Sequence, residues 1–103
     1  GTTAGGLHLA TMGSLWQALT FGFAGLRPHR GRLVVDPRLP PGWSALEVRV
    51  RYRGSRVHVR VERRRLTIHA DPLAAVLVGA DPHTAGPDGL DFVRPGSTWE
   101  LIT

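Results

Sequence analysis

Two hydrophobic periods divide the chain. From Leu7 to Phe23 the apolar residues Leu7, Met12, Leu15, Trp16, Leu19 and Phe23 recur mostly at spacings of three and four, the stripe of one helical face. Thr2 or Thr3 is placed to cap its start, and Gly22, Gly25 and Pro28 punctuate its end. Leu9, Ala10, Ala18 and Phe21 widen the apolar surface beyond that face. A helix apolar most of the way round belongs between other helices, and the rest of the chain supplies none. The alternative is a helix laid on the sheet that follows.

Beyond Pro28 the period drops to two. Arg32 to Val35 reads as a short strand, and Pro37, Pro40, Pro41 and Gly42 make a rigid loop around Arg38-Leu39. From Glu47 to Arg53, Val48, Val50 and Tyr52 alternate with Arg49, Arg51 and Arg53. Gly54-Ser55 reads as a hairpin turn, after which Val57, Val59 and Val61 alternate with His58 and Arg60. Arg63-Arg64 tops a second turn, and Leu66, Ile68 and Ala70 continue the inward face. Leu73 to Val78 is apolar throughout, which predicts burial on both sides. Leu90 to Val93 and Thr98 to Ile102 form a last pair around Arg94-Pro95-Gly96-Ser97. The pattern predicts a mainly β fold: an antiparallel, jelly-roll-like β-sandwich preceded by one N-terminal α-helix.

A turn at Gly54-Ser55 places Val50 opposite Val59 and Val48 opposite Val61. The turn at Arg63-Arg64 places Val59 opposite Ile68 and Val61 opposite Leu66. All three strands then share one core face. The other face carries Arg51, His58 and His69 in one row and Arg49, Arg60 and Thr67 in the next. Like charges set opposite each other destabilise by up to about 1 kcal/mol a pair, so this face calls for counter-charges. Acidic groups of a neighbouring domain would supply them; a solvated face screened by salt, or nucleic acid, are the alternatives. His58 and His69 lack a third ligand in that register, and no metal site is expected.

Composition sharpens the picture in three ways. The 103 residues contain no cysteine, which excludes disulfides, thiolate metal sites and a cysteine nucleophile and leads us to expect a cytoplasmic location. No apolar run reaches the length of a membrane span. The net charge is +5, and all 13 of the basic residues are arginines. Arginine suits phosphate and carboxylate recognition, while its exclusive use also points to biased coding composition.

The opening Gly1-Thr2-Thr3-Ala4-Gly5-Gly6-Leu7-His8-Leu9-Ala10-Thr11-Met12-Gly13 packs small residues around one histidine. Leu19 to Arg27 reads LTFGFAGLR, and Asp36-Pro37-Arg38-Leu39-Pro40 precedes Pro41-Gly42-Trp43. Leu46-Glu47-Val48-Arg49-Val50-Arg51-Tyr52-Arg53-Gly54 follows. In order and spacing this series resembles the C-terminal end of glycoside hydrolase family 65, inverting phosphorylases of maltose, trehalose and kojibiose together with some hydrolases. The resemblance extends over residues 1 to about 62.

The resemblance implies an N-terminal β-sandwich, a catalytic (α/α)6 barrel and a small C-terminal β-sandwich. Residues 1–26 would be the last loop and helix of a truncated barrel, and residues 27–103 the C-terminal sandwich. It also implies that a glutamic acid protonates the glycosidic oxygen while phosphate attacks the anomeric carbon, or that a second carboxylate directs water in hydrolases. The general acid lies upstream in the family; Glu47, Glu62 and Glu100 match no catalytic motif, so the chain alone is expected to be inactive. The loop from Thr2 to His8 would lie at the phosphate site, with His8, Thr2 and Thr3 as the phosphate- or substrate-binding residues.

Gly5-Gly6 stands where phosphorylases commonly carry Glu-Gly, and the run from Met12 to Gln17 departs too, which leaves hydrolysis beside phosphorolysis. The implied partners are the remainder of the same enzyme, an α-glucosyl disaccharide and inorganic phosphate as co-substrate, with no cofactor and no membrane; a homo-oligomer is compatible with all of this. Two other readings stand beside it. A carbohydrate-binding sandwich would need exposed aromatics, for which Trp43, Tyr52 and Trp99 are the candidates. A basic nucleic-acid module would use the arginine face.

Overall fold

A computed structural model describes residues 25–102 in full and, N-terminal to them, the backbone of two short strands. Eleven strands are described: β1 (Thr3–Ala4), β2 (Leu7–Leu9), β3 (Leu26–His29), β4 (Arg32–Val35), β5 (Ala45–Tyr52), β6 (Ser55–Glu62), β7 (Arg65–Asp71), β8 (Ala74–Val78), β9 (Asp81–Ala85), β10 (Leu90–Val93) and β11 (Glu100–Leu101). They form a seven-stranded sheet in the order β1-β2-β5-β6-β7-β10-β11 and a four-stranded sheet in the order β3-β4-β8-β9.

The alternation seen in the sequence becomes the core. Val48, Val50 and Tyr52 of β5, Val57, Val59 and Val61 of β6, and Leu66, Ile68 and Ala70 of β7 are all buried. They meet Leu26, Leu33, Val35, Val76, Val78 and Ala85 of the smaller sheet in one cluster, completed by Phe92 of β10. Each such side chain contributes roughly 1.5–3 kcal/mol when fully buried, which is why the inward faces of strands this short are so uniformly apolar. Ser55, the buried polar residue, donates from Oγ to the carbonyl of Leu73 at 3.0 Å and so ties the two sheets together.

Several expectations change. Leu7–Leu9, the start of the helical stripe, forms strand β2 against β5; residues 10–24, which hold the rest of the stripe, lie outside the described residues. Leu26–His29, in which Pro28 reads as the end of the helix, and Asp81–Ala85, to which the sequence pattern assigns no element, are the outer strands of the smaller sheet. Pro28 and Pro82 obscured them in the sequence. A proline is tolerated there because an edge strand has a side with no neighbour to receive its missing N–H. The sandwich is antiparallel except that β4 and β8 run parallel. Leu73 to Val78 is not buried on both sides: Leu73 is 65% exposed, and Ala75 and Leu77 are half-buried.

The register of the first hairpin also differs. Tyr52 pairs with Ser55, so the turn is Arg53-Gly54, with Val50 opposite Val57 and Val48 opposite Val59. Arg53 and Gly54 have φ of 50° and 84°, the two successive left-handed residues of a type I′ turn. Moving the turn centre back by one residue slides the partners by two. The core face is unchanged, because the side-chain period is two, but every cross-strand pair on the outer face is replaced. The second hairpin has the expected register, with Val59 opposite Ile68 and Val61 opposite Leu66.

Candidate functional site

The outer face of the seven-stranded sheet carries many charged residues, and the true register sorts them into rows. Glu47, Arg60, Thr67 and Asp91 form one row across β5, β6, β7 and β10. Arg49, His58 and His69 form the next, and Arg51, Arg56 and Asp71 the third. The expected rows Arg51–His58–His69 and Arg49–Arg60–Thr67 are therefore corrected, and part of the face finds its counter-charges within the chain. Arg60 Nη1 donates to Glu47 Oε1 at 2.8 Å and its Nε lies 3.6 Å from Glu62 Oε2. Thr67 Oγ1 donates to Asp91 Oδ1 at 2.9 Å, and Arg65 Nη2 lies 3.6 Å from the same oxygen. These pairs are solvent-facing and each contributes at most about 1 kcal/mol, but they neutralise one end of the face.

The hydrogen bond from Arg60 holds the Glu47 carboxyl below its ordinary range. Glu47 and Glu62 thus serve as counter-ions, and Glu100 lies exposed on β11.

His58 sits midway between the paired and unpaired ends. Its ring stacks on that of His69, with centroids 6.2 Å apart and planes 22° from parallel. Its Nε2 is buried without a hydrogen-bond partner; Glu47 Oε2 at 3.8 Å is too far to accept one. Burial pushes the His58 pKa down, and the nearby Arg49 and His69 push the same way against the pull of Glu47. Above about pH 6.5 the imidazole is neutral in both folded and unfolded chains and adds nothing. Below that value the unfolded chain takes up a proton that the folded chain resists, so stability falls with acid until the lowered folded pKa is passed. His58→Gln is expected to flatten the decline in urea midpoint as the pH falls below about 6.5, ahead of the loss of Glu47 in stronger acid. Parallel curves for wild type and variant would refute this.

Between the second and third rows runs a groove of about 550 Å³. Arg49, His58 and His69 make one wall, Arg51, Arg56 and Asp71 the other, and Pro87 also lines the groove. Its floor is the sheet at Val50, Val57 and Ala70, whose side chains point into the core.

Of the residues singled out for phosphate, Thr2 lies outside the described residues, and Thr3 and His8 are described as backbone only. The register brings Thr3 opposite His8 and His8 opposite Arg51, so these two positions extend the third row toward the edge of the sheet. Arg51, Arg56 and Asp71 were not among the expected site residues; the signal that could have found their row was Arg53-Gly54, since a glycine at the second turn position specifies the register.

The aromatic candidates for sugar binding do not form a platform. Tyr52 is in the core. Trp99 packs half-buried against the core with the Arg94 guanidinium 4.8 Å above its ring, and Arg94 also donates to the Arg63 carbonyl at 2.8 Å. Trp43 is 38% exposed in the loop before β5. Among the described residues no three His, Asp or Glu side chains are grouped to hold a metal ion, and no helix is long and apolar enough to cross a membrane.

Comparison with known proteins places this architecture. Residues 26–79 match the model of the C-terminal domain of glycosyl hydrolase family 65. An uncharacterized glycosyl hydrolase of Mycobacterium tuberculosis is 49% identical over 57 residues, which is 55% of this chain and 7% of that protein. An alpha,alpha-trehalose phosphorylase of Thermoanaerobacter brockii is 39% identical over 56 residues, 54% of this chain and 7% of its own length. A solved structure from the human microbiome, provisionally described as a kojibiose phosphorylase, superposes with a TM-score of 0.70 at 18% identity over 81% of this chain and 12% of its own. The chain thus spans under a tenth of the length of these two curated relatives.

Proposed function

The chain belongs to glycosyl hydrolase family 65, as its C-terminal domain, and from that premise we propose that it is the accessory sandwich of an enzyme that cleaves α-glucosyl disaccharides by phosphorolysis. The match across residues 26–79, in the sheets that carry the fold, is the observation that supports this reading most. In the proposed reaction a phosphate oxygen attacks the anomeric carbon and the bond to the glycosidic oxygen breaks. That oxygen takes its proton from a glutamic acid elsewhere in the enzyme, and inversion leaves a β-glucosyl phosphate.

This chain's part is twofold. Its sandwich is a folded mass that supports the catalytic body, the partner proposed for it. The loop from Thr2 to His8 contributes to phosphate binding. The Thr2 and Thr3 hydroxyls and the His8 imidazole donate to phosphate oxygens, and Gly5 and Gly6 let backbone N–H groups come close. The alignment of Thr3 and His8 with Arg51 supports this, since it sets the loop beside an arginine able to share an anion's charge. A maltose-, trehalose- or kojibiose-type linkage is proposed for the substrate class as a whole.

The second reading is hydrolysis, favoured by Gly5-Gly6 at the position of the phosphorylases' Glu-Gly. The full-length enzyme decides between them. Incubation with maltose, trehalose or kojibiose is expected to yield glucose 1-phosphate only when inorganic phosphate is present. Release of two free glucoses at a rate indifferent to phosphate would replace phosphorolysis by hydrolysis. No cleavage of any α-glucoside would refute both.

A further inference from the structure

We infer that the groove across β5, β6 and β7 is a binding site for a phosphate monoester, held by Arg51 and Arg56. The two arginines are direct cross-strand partners, and Arg49 lines the facing wall. Three guanidinium groups so placed repel one another. The rest of the face shows how this chain treats such charges: Arg60 is met by Glu47 and Glu62, and Arg65 by Asp91. Among the described residues the side chains of Arg49, Arg51 and Arg56 enter no ion pair or hydrogen bond, and the Asp71 carboxylate, although opposite Arg56 in the register, makes none with it.

The shape selects the ligand. An acidic protein surface laid across the sheet would bring its carboxylates against Glu47 and Asp91 in the first row. A compact anion confined between the second and third rows avoids both and has only the Asp71 carboxylate in its walls, against the three guanidinium groups of Arg49, Arg51 and Arg56. The walls are partly apolar, the stacked His58 and His69 rings on one side and arginine stems on the other, so the guanidinium charges act in a medium less polarisable than bulk water. Planar guanidinium forks match the oxygen geometry of a phosphate group, and two of them can each engage a pair of oxygens. At about 550 Å³ the groove is much larger than a bare phosphate and within the range of small-molecule sites, which leaves room for the body that carries the ester. The site is built from β5–β7; it shares only Arg51, opposite His8 in the register, with the loop assigned above to the catalytic phosphate, and Arg56 and Arg49 lie beyond that loop's pairing.

Titration of this chain with inorganic phosphate and with glucose 1-phosphate, followed by NMR of the arginine side chains and of His58, tests the site. Both ligands are expected to move the Arg51, Arg56 and His58 signals, and tighter binding of glucose 1-phosphate would show that the body beyond the phosphate is also held. Arg51→Gln/Arg56→Gln is expected to weaken binding about tenfold or more, whereas the remote Arg30→Gln leaves it unchanged. The inference is overturned if neither ligand moves these signals or if the double variant binds like wild type. It is equally overturned if His8→Ala alone abolishes binding, or if an oligoglutamate peptide occupies the face while phosphate esters do not. Circular dichroism of the double variant guards against misfolding, and both substituted positions are exposed.

Discussion

Phe92→Ala should leave the domain barely folded. Phe92 is 1% exposed on β10, where it pairs with Leu66 of β7 on one side and Leu101 of β11 on the other. Its ring also meets His83 of β9 edge-on, with centroids 5.1 Å apart, so one side chain joins the larger sheet to the outer strand of the smaller. Truncation to alanine removes that contact and opens a cavity between sheets that backbone hydrogen bonds prevent from closing. The expected loss is about 3–5 kcal/mol. A domain of this size has roughly 5–15 kcal/mol of stability in all, so much of it would be gone. Urea unfolding followed by circular dichroism measures the effect, and Phe92→Leu, which keeps most of the volume, should cost about 1.5 kcal/mol or less. Equal midpoints for the alanine variant and wild type would mean that the two sheets do not depend on this contact.

The second large effect concerns chemistry. If His8 donates to the attacking phosphate, His8→Ala in the full-length enzyme should lower phosphorolysis by about 10–10²-fold, the cost of losing one hydrogen bond of roughly 1.5–3 kcal/mol to a charged group. The loss should appear in the phosphate terms, with the KM for disaccharide little changed, and the melting temperature should stay near that of wild type. Phosphate-dependent cleavage at the wild-type rate would remove His8 from the site. An equal loss in a phosphate-independent reaction would assign it to the sugar instead.

Val48, Val50, Val57, Val59, Val61, Leu66, Ile68 and Ala70 were legible as core from alternation alone, because which side of a strand a residue faces is a local property. The partner of each residue is not local. Gly54 could serve as first or second turn residue, and both choices keep the valines inward. Only the second, with Arg53 also left-handed, sets Glu47 beside Arg60 and leaves Arg51 beside Arg56. That single step turned a face expected to be uniformly basic into one end neutralised and one end open. The candidate site was legible in its residue types and invisible in its grouping.

The amino-acid sequence by itself therefore determined the β character of the chain, its inward faces and, through ordered motifs, its family. The tertiary structure alone decided the sheet to which each strand belongs, the parallel contact of β4 with β8, the proline-bearing outer strands and the charge rows of the outer face. The division is physical: burial is decided residue by residue by apolar area, whereas pairing is decided by the closure of turns and by hydrogen bonds between segments far apart in the chain.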